Sequence, residues 1–360
     1  MRGAVGVPVW HTAGERSPFM KRVTIYDVAK LANVSPTTVS RALHDHPAIS
    51  EGTKQRVRTA CEQLAYVPDI VARGLSGQKT HTIGVIVTDI SDPYLSALCA
   101  VMERHCSEHG YRMLLSNTLH DPQYELEAVG RMLSQQVDGL LISAHSPQSQ
   151  ARHRALIGDL PCVYLGNNHT ADCSYVEVDN ERGAYEAAQY LYHLGHRRIA
   201  FVGGRADSRT LELRLKGYRR SLLSHGLPLR EIVGSNPVEN LCTWCYQQTL
   251  DELRSGDGFD AVIAYTDRIA MSIVDAAEAS GLRVPEDFSL IGFDDIVFGQ
   301  LRHVRLTSVS QSYFRTGQLA VERLLAQIDG SCSRTADIIE PELMIRDTCR
   351  RIERKERSSL

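Results

Sequence analysis

From Thr82 onward this 360-residue chain alternates short apolar runs with helical segments, and that alternation limits its possible folds more than any other feature. IGVIVTD leads into LSALCAVMERHCSEHG and YRMLLSN into EAVGRMLSQQ; DGLLISA, PCVYLGN and YVEVD follow, and then a long helix through Leu194. The series restarts at RRIAFVGG and passes through LRLKGYRRSLLSHG, DAVIAYTD, IAMSIVDAAEASG and DFSLIGFDD. A short apolar run without polar alternation suits a strand covered on both faces, as in a parallel sheet between helical layers. Two such series predict two α/β lobes. Ligands of parallel sheets bind beyond the carboxyl ends of the strands, so a cleft between the lobes is the expected site.

The first 79 residues are different in kind. They hold 11 Lys and Arg against 6 Asp and Glu, a balance of +5, whereas residues 80–360 hold 29 against 37, a balance of −8. The total of −3 therefore averages two unlike parts, and near-neutrality says nothing against a nucleic-acid partner for the basic one. In TIYDVAKLA, Thr24 caps a short helix with Asp27 three residues on, and Ile25, Val28, Ala29 and Ala32 share a face. Asn33 and Val34 turn the chain. Ser35 followed by Pro36 starts a second helix to Leu43, with Val39 and Leu43 inward and Thr37, Thr38, Ser40 and Arg41 outward. A third helix begins near Ser50, with Val57, Ala60, Cys61 and Leu64 as its stripe and Lys54, Arg56 and Arg58 suited to phosphates. Two helices on a tight turn, the second polar outward, match the helix-turn-helix plan, though such a basic unit also fits a protein-binding module.

VTIYDVAKLANVSPTTVSRAL, followed by IS..T..RV..A...LAYVPD..AR.L, resembles the headpiece of the LacI (lactose repressor) family of bacterial transcription factors. V.VDN..GAY.A..YL..LGHRRIAFVGG, VPEDFSLIGFDDI and LTSVSQ resemble the cores of the same family, so the likeness spans Lys21 to about Arg346. It implies a small all-α headpiece (20–67), a hinge (68–80) and a periplasmic-binding-protein-like core (81–350) with two parallel sheets. The first lobe would be 81–180 plus 311–345 and the second 181–310, with the late strand LTSVSQS and helix FRTGQLAVERLLAQI returning the chain to the first lobe. Residues 1–19 read as a disordered extension or an upstream start before Met20, and 351–360 as a charged tail.

The resemblance also implies the site residues. Pro36 and Thr37 take the principal base-reading positions, with Thr38, Ser40 and Arg41 beside them and Thr24 and Tyr26 also at the DNA. Pro36 has no hydrogen-bonding side chain, so its readout would be an apolar contact such as a thymine methyl. In the hinge, Val71, Ala72 and Leu75 share a face of a weak helix, because Gly74 and Gly77 each cost roughly 1 kcal/mol relative to Ala. Family members fold this segment on DNA, pair it with the partner's copy and push a leucine, here Leu75, into the minor groove. In the core, Asp294 and Arg214 are expected to grip an effector through a carboxylate and a guanidinium fork. Tyr94 would stack on a sugar ring, and Asp89, Asn167, Thr266 and Gln311 would face the same cleft. Thr266 stands where Asn is common in the family, and Glu212 lies near Arg214.

Other functions fit less well. Nine scattered cysteines do not form a secreted disulfide framework, and no apolar run reaches the ~18 residues of a membrane span, so a cytoplasmic protein without a membrane partner is expected. A solute-binding transport protein would need an export signal, and the first 19 residues lack a sustained apolar region. A sugar-modifying enzyme would need an acid-base or nucleophile-base arrangement, and none is evident. Cys242-Thr-Trp-Cys245 is a lone C-x-x-C, the His193/His196 pair has no third ligand, and Asp294-Asp295 has no partner nucleophile, so neither cofactor nor metal is expected. The expected function is a dimeric repressor of double-stranded operator DNA, controlled by a small sugar-like effector. The tail lacks Leu heptads, which favours a homodimer over a coiled-coil tetramer.

Overall fold

The computed structural model describes residues 23–43, 45–66, 79–170, 172–206, 208–234, 240–255 and 258–352. The chain divides into two compact units that part between Ser76 and Gly77.

The first unit contains α1 (Ile25–Ala32), α2 (Pro36–Leu43) and α3 (Glu51–Gln63). Asp27 Oδ2 accepts the Thr24 backbone N–H at 2.8 Å and the Thr24 hydroxyl at 2.7 Å, which closes the first turn of α1. Asn33 ends α1 in the left-handed region at φ 53°, a conformation Asn tolerates. Ser35 Oγ then accepts the Thr38 N–H at 3.0 Å, and Pro36 supplies the first helical residue. The core consists of Val28, Ala29, Ala32, Val39, Ala42, Val57 and Ala60, mostly small side chains that let three short helices approach closely. Ala42 takes the inward place expected of Leu43, which is only partly buried: the period from Val39 runs three residues and not four.

The second unit carries two six-stranded sheets. The first joins β1 (Thr82–Val87), β2 (Arg112–Asn117), β3 (Gly139–Ile142), β4 (Cys162–Leu165), β5 (Ser174–Val178) and β11 (Ala336–Ile339) in the order β11-β5-β4-β3-β1-β2, all parallel. The second joins β6 (Ile199–Arg205), β7 (Arg230–Gly234), β8 (Ala261–Ala264), β9 (Ser289–Asp294), β10 (Thr307–Ser310) and β12 (Glu342–Met344) in the order β12-β10-β9-β8-β6-β7. Only β12 runs antiparallel. Every residue of β1, β3, β8 and β9 is buried, as strands covered on both faces require.

Between the strands run α4 (Pro93–Glu108), α5 (Pro122–Ser134), α6 (Pro147–Ile157), α7 (Asn180–His193), α8 (Arg209–Ser224), α9 (Leu241–Ser255), α10 (Asp267–Ala279) and α11 (Tyr313–Ile328). Three of them start on a capping side chain followed by proline: Asp92-Pro93, Asp121-Pro122 and Ser146-Pro147. Asp179, Ser208 and Thr266 cap α7, α8 and α10 in the same way without proline. These caps fix where each chain segment leaves a strand end and enters a helix.

The chain crosses between the sheets more often than its pattern suggests. The strand LTSVSQS, expected to begin the return to the first lobe, is β10 and pairs in parallel with β9, Ser310 opposite Asp294, inside the 181–310 span given to the second lobe. Helix α11 does pack in the first lobe, with Leu319, Ala320, Val321 and Leu324 against Ile83, Leu98 and Met102. After β11 the chain returns, and Leu343 of β12 stands opposite Val309, so the expected first-lobe limit at 345 falls instead before Glu342. A strand's partner is set by hydrogen bonds across the sheet, which its own residues do not name.

Five elements carry too weak a pattern to be read in the sequence. Helix α6 turns Ser149, Gln150 and His153 inward and so lacks an apolar stripe. Helix α9 is hidden behind the C-x-x-C, and β7, β11 and β12 are short edge or near-edge strands.

Candidate functional site

On the first unit the expected reading residues lie on one helix and its approach. Thr37 and Arg41 are exposed, Pro36, Thr38 and Ser40 half-buried, and Tyr26 on α1 is 72% exposed. Thr24 is exposed, but its hydroxyl is held by Asp27. The Thr38 hydroxyl shares a 2.8 Å hydrogen bond with Ser35, so that side chain serves the cap of α2 as well as its outer face. Two of the cations assigned to phosphates are engaged locally: Arg58 Nη2 lies 2.7 Å from Asp45, and Lys54 lies 3.4 Å from Asp45 and 3.6 Å from Glu51. Part of the positive charge of α3 is thus offset within the unit. The hinge positions Ala72 and Leu75 lie outside the described residues.

Within the second unit, a cavity of about 470 Å³ opens where the carboxyl ends of the two sheets face each other. All seven expected effector residues line it: Asp89, Tyr94 and Asn167 from the first lobe, Arg214, Thr266 and Asp294 from the second, and Gln311 at the crossover into α11. Residues far apart in sequence converge because every contributing loop follows a strand of one or the other parallel sheet.

Asp294 and Arg214 form the floor. Asp294 closes β9 with φ 112°, and the next residue, Asp295, sits at φ 55° and pairs with Arg346 at 2.6 Å, so the two carboxylates diverge. Asp294 Oδ1 accepts from the Gln311 amide and lies 3.6 Å from Arg214 Nη2. Burial holds the Asp294 carboxyl well above the ordinary carboxylate range, against the pull of the Arg214 charge. Arg214 is 2% exposed and already committed: Nε donates to Asn180 Oδ1 at 2.7 Å, and Nη1 donates to the Tyr265 carbonyl. It is therefore less an open fork than the sequence suggests, with two of its three nitrogens already donating within the protein. Asn180 passes the contact on to Asn167, whose amide donates to Glu177 at 2.7 Å.

The rim residues have structural duties of their own. Tyr94 bonds Thr316, and burial, with the nearby Asp294 charge, pushes its phenol above the usual range. Thr266 Oγ1 accepts the Ile269 N–H at 3.3 Å as the cap of α10, and Asp89 accepts from Ser91 at 2.9 and 2.7 Å. Several lining residues are absent from the sequence reading. Asp92 caps α4 on the first lobe, and Arg268 on the second lies 3.8 Å from Asp92 and 3.9 Å from Asp89, an ion pair across the cleft. His120 and His145 also line it, ring centroids 6.3 Å apart; burial, with the nearby Arg205 charge, lowers the His120 pKa below its ordinary value. Leu119 and His120 both have left-handed backbones, at φ 53° and 59°, an uncommon pair outside glycine. The signal for Asp92 was legible as an Asp-Pro cap, whereas nothing local marks the histidines.

Of the other sequence signals, Cys242 lines the cavity as part of α9 while Cys245 is buried in the second lobe. His193 Nδ1 bonds the Gln189 carbonyl at 2.7 Å and His196 Nε2 the Arg350 carbonyl at 3.1 Å. Among the described residues no cluster of three or more His, Cys, Asp or Glu could hold a metal ion, and no helix is long and apolar enough to cross a membrane.

Comparison with known proteins bears on both units. Residues 24–69 match the lacI family of bacterial regulatory proteins, and residues 188–349 match the periplasmic binding protein-like domain. The chain is 33% identical to catabolite control protein A of Priestia megaterium over 306 residues, covering 84% of this chain and 91% of that one. A lac repressor dimer bound to operator and the anti-inducer ONPF matches with a TM-score of 0.82 at 28% identity, covering 92% of this chain and all of that one. A complex of the transcriptional regulator CelR with cellobiose matches with a TM-score of 0.65 at 28% identity, covering 91% and 100%. Helix-turn-helix unit, two-sheet core and relatives agree: the chain belongs to the LacI family of DNA-binding transcriptional regulators and is not an enzyme.

Proposed function

We propose that this regulator is a repressor that binds a pseudo-palindromic operator as a homodimer and changes its DNA affinity when a small sugar-like effector enters the cleft. It works in the bacterial cytoplasm, on the nucleoid when bound to its operator. Thr37, Arg41 and Pro36 read the major groove, and Leu75 is the minor-groove wedge. The carrying observation is the convergence of Asp294, Arg214 and Gln311 with Tyr94, Asn167, Asp89 and Thr266 around one cavity between two lobes. A buried carboxyl and amide groups beside an aromatic ring suit a polyhydroxylated ring, whose hydroxyls both donate and accept. The sugar in the CelR complex and the operator and anti-inducer in the lac repressor complex, both similar chains, support the same reading.

The effector would favour one arrangement of the lobes, and a coupling of about 1–3 kcal/mol suffices to shift DNA affinity 5- to 150-fold. The test is a thermal-shift screen of sugars and sugar acids, followed by Asp294→Ala. A ligand at 100 times its Kd should stabilise the core by about 2.7 kcal/mol. Asp294→Ala should keep operator affinity and lose that stabilisation; an unchanged ligand response removes Asp294 from the site.

A further inference from the structure

A second cavity, about 430 Å³, lies in the first lobe at the start of β4 and β5. Cys162, Cys173 and Tyr164 line it, with Cys332, Arg154 and Arg334 around them. Val163 pairs with Ser174 in the parallel register of β4 and β5, so one residue earlier Cys162 stands beside Cys173. Neighbouring strands lie about 4.7–4.9 Å apart, within the roughly 4.4–6.8 Å Cα separation a disulfide spans. Both thiols pack on the same apolar cluster, and neither is in a disulfide.

The surroundings distinguish the two sulfurs. The Cys173 thiol donates to the Thr170 carbonyl at 3.1 Å and lies beside His169, whose ring stacks on Tyr175 with centroids 3.8 Å apart and meets Glu177 Oε2 at 2.8 Å. Burial works against charge on His169, but the bonds to Cys173 and Glu177 outweigh it and push its pKa up to about 9. Cys162 has Tyr164 beside it, and burial pushes its thiol up.

We propose that Cys162 and Cys173 form a redox-responsive dithiol that closes to an intramolecular disulfide when a hydroperoxide enters this cavity. Cys173 sulfur attacks the peroxide, the O–O bond breaks, and a sulfenic acid and one water (or alcohol) result. Cys162 sulfur then displaces the sulfenic hydroxyl, which leaves as water as the S–S bond forms. The two thiols lose two electrons and two protons, and the hydroperoxide is reduced by the same two electrons. Glu177 also accepts from Asn167, so the dithiol lies one carboxylate away from the ligand cleft. The site does not depend on which ligand that cleft takes.

The experiment exposes the reduced full chain, folded, to hydrogen peroxide, alkylates the remaining thiols with N-ethylmaleimide, and maps the peptides by mass spectrometry. The expected product is a linked Cys162–Cys173 peptide pair, two hydrogens lighter than the reduced pair and restored by dithiothreitol; Cys332→Ser should leave it unchanged. In Cys173→Ser, Cys162 should stay alkylatable through the same exposure. Alkylation of both cysteines in the oxidised wild type, or linkage of either to Cys332 or another cysteine, overturns the proposal. The wild-type map decides the matter even where a variant misfolds.

Discussion

The Arg214 guanidinium carbon lies 3.6 Å from the centre of the Phe293 ring, and the same group donates to Asn180 and to the Tyr265 carbonyl. One planar cation thus ties α8 to α7, to the end of β8 and to the end of β9. Lysine carries the charge but not the fork, and cannot stack and bond two acceptors at once. Arg214→Lys should cost about 2–4 kcal/mol, since buried acceptors lose their donor. Urea denaturation of the two proteins measures this; a loss below about 0.5 kcal/mol would show that the bonds do not hold the cleft floor together.

Helix propensity and packing disagree at Gly217, and packing should win. Alanine inside a helix is favoured over glycine by about 1 kcal/mol. A Cβ at Gly217 in α8, however, would lie 2.0 Å from the Glu181 carbonyl oxygen and 2.9 Å from the Tyr185 nitrogen on α7, and backbone cannot swing aside. Gly217→Ala should therefore lower stability by at least about 3 kcal/mol, at or beyond the upper end of ordinary overpacking. Gly130→Ala is the control, because nothing lies within 4 Å of its added carbon on α5. It should be neutral or stabilising by up to about 1 kcal/mol in the same thermal unfolding series.

Asp267 should give a pH dependence opposite to that of most carboxylates. Its side chain is fully buried, accepts from Ser308 Oγ at 2.6 Å and the Ile296 N–H at 2.8 Å, and burial pushes its pKa from 3.8 up to about 7. Between those values the folded state holds a proton that the unfolded state has released. Its contribution to stability is therefore fully present at low pH and falls as pH rises through 7, by up to about 1.4 kcal/mol per pH unit. Asn is neutral throughout. The stability of wild type minus that of Asp267→Asn should decline between pH 5 and pH 7 and level off above; a difference independent of pH would mean that Asp267 is ionised in the fold.

The cleft residues were expected from the family resemblance, and some of them also carry a local mark. Asp294 follows an apolar run, Tyr94 follows the Asp92-Pro93 cap, and Thr266 precedes a helical period, so each is marked by its immediate neighbours. His120, His145 and Arg268 are not. They reach the cleft because a parallel sheet brings the loops after β2, β3 and β8 to one end, and no short stretch of sequence encodes that neighbourhood. Helix α6 escaped notice for another reason: its inward face is Ser149, Gln150 and His153, so no apolar period exists to be found.

Local chemistry in the sequence determined the two-part organisation, the helix-turn-helix with its Asn33 turn and Ser35-Pro36 start, the strand and helix order of most of the core, and the family. Tertiary structure alone decided that β12 belongs to the second sheet and that Arg214 is tied down before any ligand arrives. It also set Cys162 beside Cys173. The physical reason is the range of the forces involved: capping and periodicity act within a few residues, whereas sheet pairing and side-chain contact join segments that the chain keeps far apart.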